Sequence, residues 1–263
     1  MWGAYSSEWV KLQRRSMLGW GFGGGLFFPV LATIFTIERA TKTLVIGPHG
    51  GVRVTIAALE QPTGLVHGVV DVSSLIGIVS LCIFAGAFAT EYSQGTLRNL
   101  LVREPRRTQL LSGKFLALVT FIAIVVIVAV GVAVAVAFAL APGKGISTSA
   151  WTSSAGLSDL GQAVLHAFLA AAIYGVFGGA LGVILRSPGV AIGVAIAWVI
   201  PIEAIIVGAI WSGGDRWLPG QLLDALAHGG NSNSSYSHAL VILVIYAVVA
   251  AAGTLVLFNR RDA

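Results

Sequence analysis

The 27 residues from Phe115 to Ala141, FLALVTFIAIVVIVAVGVAVAVAFALA, contain no charged side chain. As a helix rising 1.5 Å per residue the run measures about 40 Å, more than the roughly 30 Å hydrocarbon core of a bilayer. It must tilt or protrude. The rest of the chain points to the same solvent. Across 263 residues, 56% are hydrophobic and 10% charged, whereas soluble domains carry about 25% charged residues. A core of this size cannot hide so much apolar surface from water. The chain reads as an all-α membrane protein of one transmembrane domain, residues 1–263.

Apolar runs predict six spans, at about 17–37, 67–90, 115–141, 160–185, 190–211 and 239–258. Lys11, Arg14 and Arg15 precede the first run, as in a signal peptide. That run is too long for such a signal's apolar region and lacks a small-residue cleavage pattern, so it reads as an uncleaved span. Its glycines, Gly19, Gly21, Gly23, Gly24 and Gly25, permit close backbone approach. Residues 1–16 include EWVKLQRR, in which Trp9, Leu12 and the cations suit a short amphipathic helix at the membrane interface, or else a frayed end. Residues 38–66 are a polar loop with room for a small hairpin. RSPG at 186–189 reads as a tight turn that makes its flanking spans antiparallel neighbours. Pro201 interrupts the fifth span, and LPGQLLDALAHG suits a short helix starting near Pro219.

The net charge is +5 and the sequence pI ≈ 9.7. The cations sit at the ends of apolar runs, where membrane topology rather than nucleic-acid binding accounts for them. With six spans, eleven fall on one side: Lys11, Arg14, Arg15, Arg98, Arg103, Arg106, Arg107, Lys114, Arg186, Arg260 and Arg261. Five fall on the other: Arg39, Lys42, Arg53, Lys144 and Arg216. The richer side is expected in the cytoplasm, with both termini. The lone cysteine, Cys82, has no internal disulfide partner, and metal-ligand spacing of Cys and His is absent.

This places the stretch EYSQGTLRNLLVREPRRTQLLSGK, Glu91 to Lys114, in the largest cytoplasmic loop. Thr96 is a candidate N-cap after Gly95. Leu97, Leu100 and Leu101 share one helical face, with Arg98 and Asn99 elsewhere, and Pro105 ends this helix or opens the next. Such a helix can bind lipid headgroups or dock a cytoplasmic partner; its own residues leave both open.

The stretch resembles the permease subunit of ABC-2 type ABC transporters. The pattern is a Glu closing span 2, then G-T, a leucine-rich turn, a Pro, an Arg, and a Lys opening span 3. Here these are Glu91, Gly95, Thr96, Leu97, Leu100, Leu101, Pro105, Arg107 and Lys114. The ending LFNRRDA, with Phe258, Arg260, Arg261 and Asp262, is similar to the F-x-R-R-D terminus common in that family. The resemblance implies that 91–114 is a coupling helix seated in a groove of a nucleotide-binding subunit, transmitting closure of the ATPase dimer. Arg186, Ser187 and Pro188 would form a second, smaller contact. It further implies a separate ATPase subunit in two copies carrying ATP and Mg²⁺, a second permease chain (the same or a related one), a bacterial cytoplasmic membrane, and export. This chain would hold no cofactor and catalyse nothing. It contains no G-x-x-x-x-G-K-[ST]; SGKF at 112–115 and PGKG at 142–145 lack the upstream Gly and the following Ser or Thr. The apolar spans lean toward a hydrophobic or amphipathic cargo: a drug, antibiotic, peptide or lipid-like molecule.

Ionisable groups inside spans are functional candidates by default. Asp71 and Glu203 fall within predicted spans. Pro201 bends the helix beside Glu203, and the resemblance places a re-entrant hairpin near there. Glu203 would line a water-filled break or a dimer interface, or simply be solvated; Asp71 lines the pathway or caps the outer end of span 2. His67 and His166 sit near outer span ends. Gly175, Gly178, Gly179 and Gly182, and the pair Gly189 and Gly193, form G-x-x-x-G patterns that suit helix packing within the chain or between chains. Two other functions compete. An intramembrane serine protease needs a Ser paired with a His at matching depth, and Ser73, Ser74 and Ser80 lack suitable flanks. A secondary transporter or channel would show paired broken spans, and only one span is broken.

Overall fold

The computed structural model describes residues 2–43, 54–95, 107–211 and 213–260. Among the described residues the chain is helical and has no strand. Isolated bridges join Thr41 to Thr55 and Gly230 to Ser235. The order is α1 (Trp2–Leu12), α2 (Arg15–Glu38), α3 (Ile56–Leu59), α4 (His67–Val70), α5 (Ser73–Ser93), α6 (Arg107–Leu140), α7 (Ser154–Leu185), α8 (Pro188–Ala197), α9 (Glu203–Ile205), α10 (Pro219–Ala227) and α11 (Tyr236–Arg260).

Five helices, α2, α5, α6, α7 and α11, are long and apolar enough to cross a membrane. The fifth expected span, 190–211, is not a continuous α-helix. It is helical from Pro188, but π turns replace the α-helix at Trp198–Ile202 and Ile206–Ile210. Pro201 explains the first: it lacks an N–H, and its ring would crowd the carbonyl four residues back, so the helix widens there. Two other boundaries differ. The span expected at 67–90 is divided at Asp71 and Val72 into the one-turn α4 and the long α5. The run expected from 115 belongs to a helix that starts at Arg107 and has 34 residues, about 51 Å long. RTQLLSGK therefore forms the first turns of this helix. Between α2 and α5, where a small hairpin had room, the described residues form short helices.

The best-packed pair is α5 against α7, and glycine makes it possible. Gly178 and Gly182 face the carbonyls of Leu81 and Ala85 across the helix crossing; a Cβ on Gly182 would lie 2.6 Å from the Ala85 oxygen. Gly175 lies under the Phe84 ring. The Ser80 hydroxyl donates to the Ala171 carbonyl at 2.7 Å, a direct tie between the two helices. Gly175, Gly178, Gly179 and Gly182 thus serve packing within the chain. Gly189 and Gly193 face open space.

The bundle has two distinct ends. At one, Ile37, Leu59, Leu65, Ala141 and Trp151 form an apolar cap. The Trp151 indole donates to the Leu59 carbonyl at 2.7 Å, and Lys144 pairs with Glu38 at 2.7 Å. At the other end α1 lies against α6. Its inward residues Ala4, Glu8 and Leu12 are buried at helical spacing, while Trp2 and Val10 are exposed. Trp2, Tyr5 and Trp9 form a ladder of rings along α1. Ala4, Leu110 and Phe258 meet there, with Tyr92 beside them.

Candidate functional site

An acid on the buried stripe of a helix demands a partner, because an unpaired charge away from water is costly. Glu8 is such an acid. It meets Lys114 at 3.1 Å, and Lys114 in turn meets Glu91 at 2.7 Å. Lys11, one turn along α1, pairs with Glu8 and reaches Glu91 at 2.9 Å. Two acids and two bases alternate around a closed ring. The side chains of Glu8 and Lys114 are 5% exposed and that of Glu91 12%, while Lys11 at 38% keeps one face in solvent. Burial pushes the Glu8 carboxyl up, but the charges of Lys114 and Lys11 outweigh it and hold the group below the usual carboxylate range. Burial likewise lowers Lys11, and Glu91 and Glu8 more than compensate, so its ammonium is held above its ordinary value.

The ring is placed by helix length. α5 continues to Ser93, so Glu91 lies in its last turn, and α6 starts at Arg107, so Lys114 lies two turns inside it. The Glu91–Lys114 pair therefore closes the base of the segment 92–113. Gly95 adds a stop: its φ is +64°, and its N–H bonds the Tyr92 carbonyl at 3.2 Å. Nothing crowds a Cβ there. Backbone handedness, not space, is what asks for glycine. Thr96, Leu97, Leu100, Leu101 and Pro105 lie outside the described residues, and Arg107 opens α6.

The RSPG turn comes to the same end. Arg186 closes α7 in the left-handed region, with φ 55° and its N–H on the Gly182 carbonyl at 3.1 Å. Ser187 is extended, as the residue before a proline prefers, and Pro188 opens α8. The Arg186 guanidinium lies 5.3 Å from the centre of the Tyr92 ring. Glu91, Gly95, Lys114 and the Arg186–Pro188 turn are thus neighbours. Sequence reasoning missed Glu8 and Lys11 as partners of Glu91 and Lys114. The available signal was Glu8 in register with Ala4 and Leu12, an acid on an apolar stripe.

Asp71 and Glu203 stand apart from this cluster. Asp71 sits in the bend before α5 with a half-exposed side chain, 3.1 Å from His67 Nδ1. That hydrogen bond raises His67 above its ordinary value against the opposing effect of burial. Glu203 is fully buried, so solvation by a water-filled break does not describe it. Its two carboxylate oxygens accept the Gly220 and Gln221 N–H groups at 2.9 and 3.0 Å, capping α10. Trp198 is a further hydrogen-bond partner. Pro201 makes the break from which Glu203 reaches back. Among the described residues no group of three or more His, Cys, Asp or Glu could hold a metal ion.

A groove of about 1430 Å³ opens beside the ion-pair ring. Its walls are one face of α2 and one face of α5, and its charged end is the ring itself with Arg14.

The family described as "Protein of unknown function (DUF2705)" matches residues 58–263. The chain belongs to this family. Within DUF2705 the matched residues contain Glu91, Lys114, Arg186 and Glu203, and exclude the α1 residues Glu8 and Lys11 that complete the ring. A search of curated proteins finds no match.

Proposed function

We propose that this DUF2705 chain is the membrane-spanning permease subunit of an ATP-driven exporter, similar to ABC-2 type permeases, with 91–114 as its coupling segment. The observation that carries this reading is the ring of Glu8, Lys11, Glu91 and Lys114 at the base of that segment. A loop that only joins two spans needs no rigid footing. A loop that must pass a push from a cytoplasmic subunit to two spans does. The ring ties the ends of α5 and α6 to each other and to α1, so displacement of the loop moves all three helices together. Arg186 on Tyr92 extends the same footing to the α7–α8 turn.

In this reading ATP and Mg²⁺ are held by a separate ATPase present in two copies, and a second permease chain, by default a copy of this one, completes the transporter. The ring end and both termini lie in the cytoplasm, and the membrane is the bacterial cytoplasmic membrane. The π-broken helix and α10 form the hairpin that the resemblance places near the outer face. The cargo is hydrophobic or amphipathic.

The test is assembly. Substituting Leu97, Leu100 and Leu101 by Asp is expected to leave the chain in the membrane and to abolish co-purification with a P-loop ATPase and ATP-driven export. Retention of both activities in the triple variant would remove the coupling role.

A further inference from the structure

We propose that the groove between α2 and α5 is a resident site for an anionic phospholipid of the surrounding leaflet. Its headgroup would sit against Arg14 and Lys11 and its acyl chains along the helices. The site stands apart from the transport role and does not depend on it.

The shape comes first. Trp20, Gly23, Gly24, Phe27 and Phe28 recur on α2 at spacings of three and four, so they form one stripe. That stripe lines the groove without closing it: Trp20 is 77% and Phe27 58% exposed, and nothing lies within 4 Å of a Cβ on Gly23. From Arg14 to Phe28 the groove follows about 21 Å of helix. One leaflet contributes roughly 15 Å of hydrocarbon, half of a roughly 30 Å core. The groove is therefore long enough for acyl chains with a headgroup at the charged end. Its volume of about 1430 Å³ exceeds the roughly 300–1,000 Å³ of sites for drug-sized molecules.

Charge decides the headgroup. The two acids at the polar end, Glu8 and Glu91, are each engaged by both lysines. The ring is neutral as a unit. Arg14 adds a positive charge that has no ion-pair partner among the described residues, and Ser16 and Gln94 add hydrogen-bonding groups beside it. An anionic phosphate with no second cation in the headgroup is the complement. A free phosphate would engage the polar end alone and make no contact with the apolar walls, whereas a lipid engages both.

The test uses the full chain purified in mild detergent, with native mass spectrometry counting bound phosphatidylglycerol against phosphatidylcholine. Wild type is expected to retain phosphatidylglycerol preferentially. Arg14→Ala should weaken that retention about five-fold, since one cation near an anionic headgroup contributes on the order of 1 kcal/mol. Phosphatidylcholine retention should change little. Gly23→Leu should reduce retention of both lipids with no loss of thermal stability, because the added side chain enters open groove and not packed core. Equal retention of the two lipids by wild type, unaltered by either variant, would overturn the proposal. So would a Gly23→Leu chain that shifts from dimer to monomer with its lipid count unchanged, which would make a second copy the occupant.

Discussion

Lys114 is the residue on which the ion-pair ring depends most. It is almost fully buried and bonds both acids, so removing it leaves two carboxylates without their main cation. Lys114→Met is expected to destabilise the protein by roughly 3–5 kcal/mol, the cost of breaking a buried pair. Glu8→Gln combined with Lys114→Met should recover part of the loss, and a double-mutant cycle of unfolding midpoints measures the coupling. The ring's pH behaviour has a definite sign. The Glu8 carboxyl is held below its unfolded value of roughly 4.3. Its contribution is therefore complete above that value and is lost as pH falls through the folded one. Lys11 is held above its unfolded value of roughly 10.4, so its contribution is complete below that and is lost as pH rises through the folded value. Attachment of α1 is then level between these limits and fails in strong acid or strong base. Protease cleavage within α1, followed against pH, checks this. Glu91 and Lys114 were legible as a frame because they bracket a polar island between apolar runs. Their partners were not, because Glu8 and Lys11 precede Glu91 by about 80 residues and only folding brings them together.

At the scale of elements, the α5–α7 contact is the firmest part of the bundle. Gly178→Val places a side chain against the Leu81 carbonyl, where neither backbone can retreat without opening the pair. A loss of roughly 1–3 kcal/mol or more is expected from overpacking. Gly193→Val meets nothing within 4 Å and should leave the thermal midpoint nearly unchanged. The contrast between the two tests which glycine pattern serves packing. α10 carries a second prediction. In Gly220→Ala the new Cβ would lie 2.6 Å from Glu203 Oε2 and displace the carboxylate from its cap. Hydrogen bonds each worth about 0.5–1.5 kcal/mol would be weakened, and faster deuterium exchange at the α10 amides reads the change. The long helices, the RSPG turn and the Pro219 start were legible because they rest on local patterns: apolar runs and proline positions. The π turns were not. A proline announces a break, but whether the helix kinks, stops or widens depends on tertiary contacts around it, here Glu203 capping α10. The bend at Asp71 was hidden in the same way by the apolar residues on either side of it.

For the whole molecule, the described helix ends fall into two groups. Among the described residues, the end built from α1, the close of α5, the start of α6 and the Arg186 turn carries Lys11, Arg14, Arg15, Lys114 and Arg186. The opposite end carries Arg39 and Lys144. The proposed function requires both that the ring end face the cytoplasm and that 91–114 contact an ATPase. The most direct measurement is site-specific photo-crosslinking in cells, with the photoreactive residue placed at Leu100 in one strain and at Lys144 in another. An adduct is expected between position 100 and a P-loop ATPase subunit, and none from position 144. Absence of an ATPase adduct at position 100, or equal adducts from both positions, would rule out the coupling role.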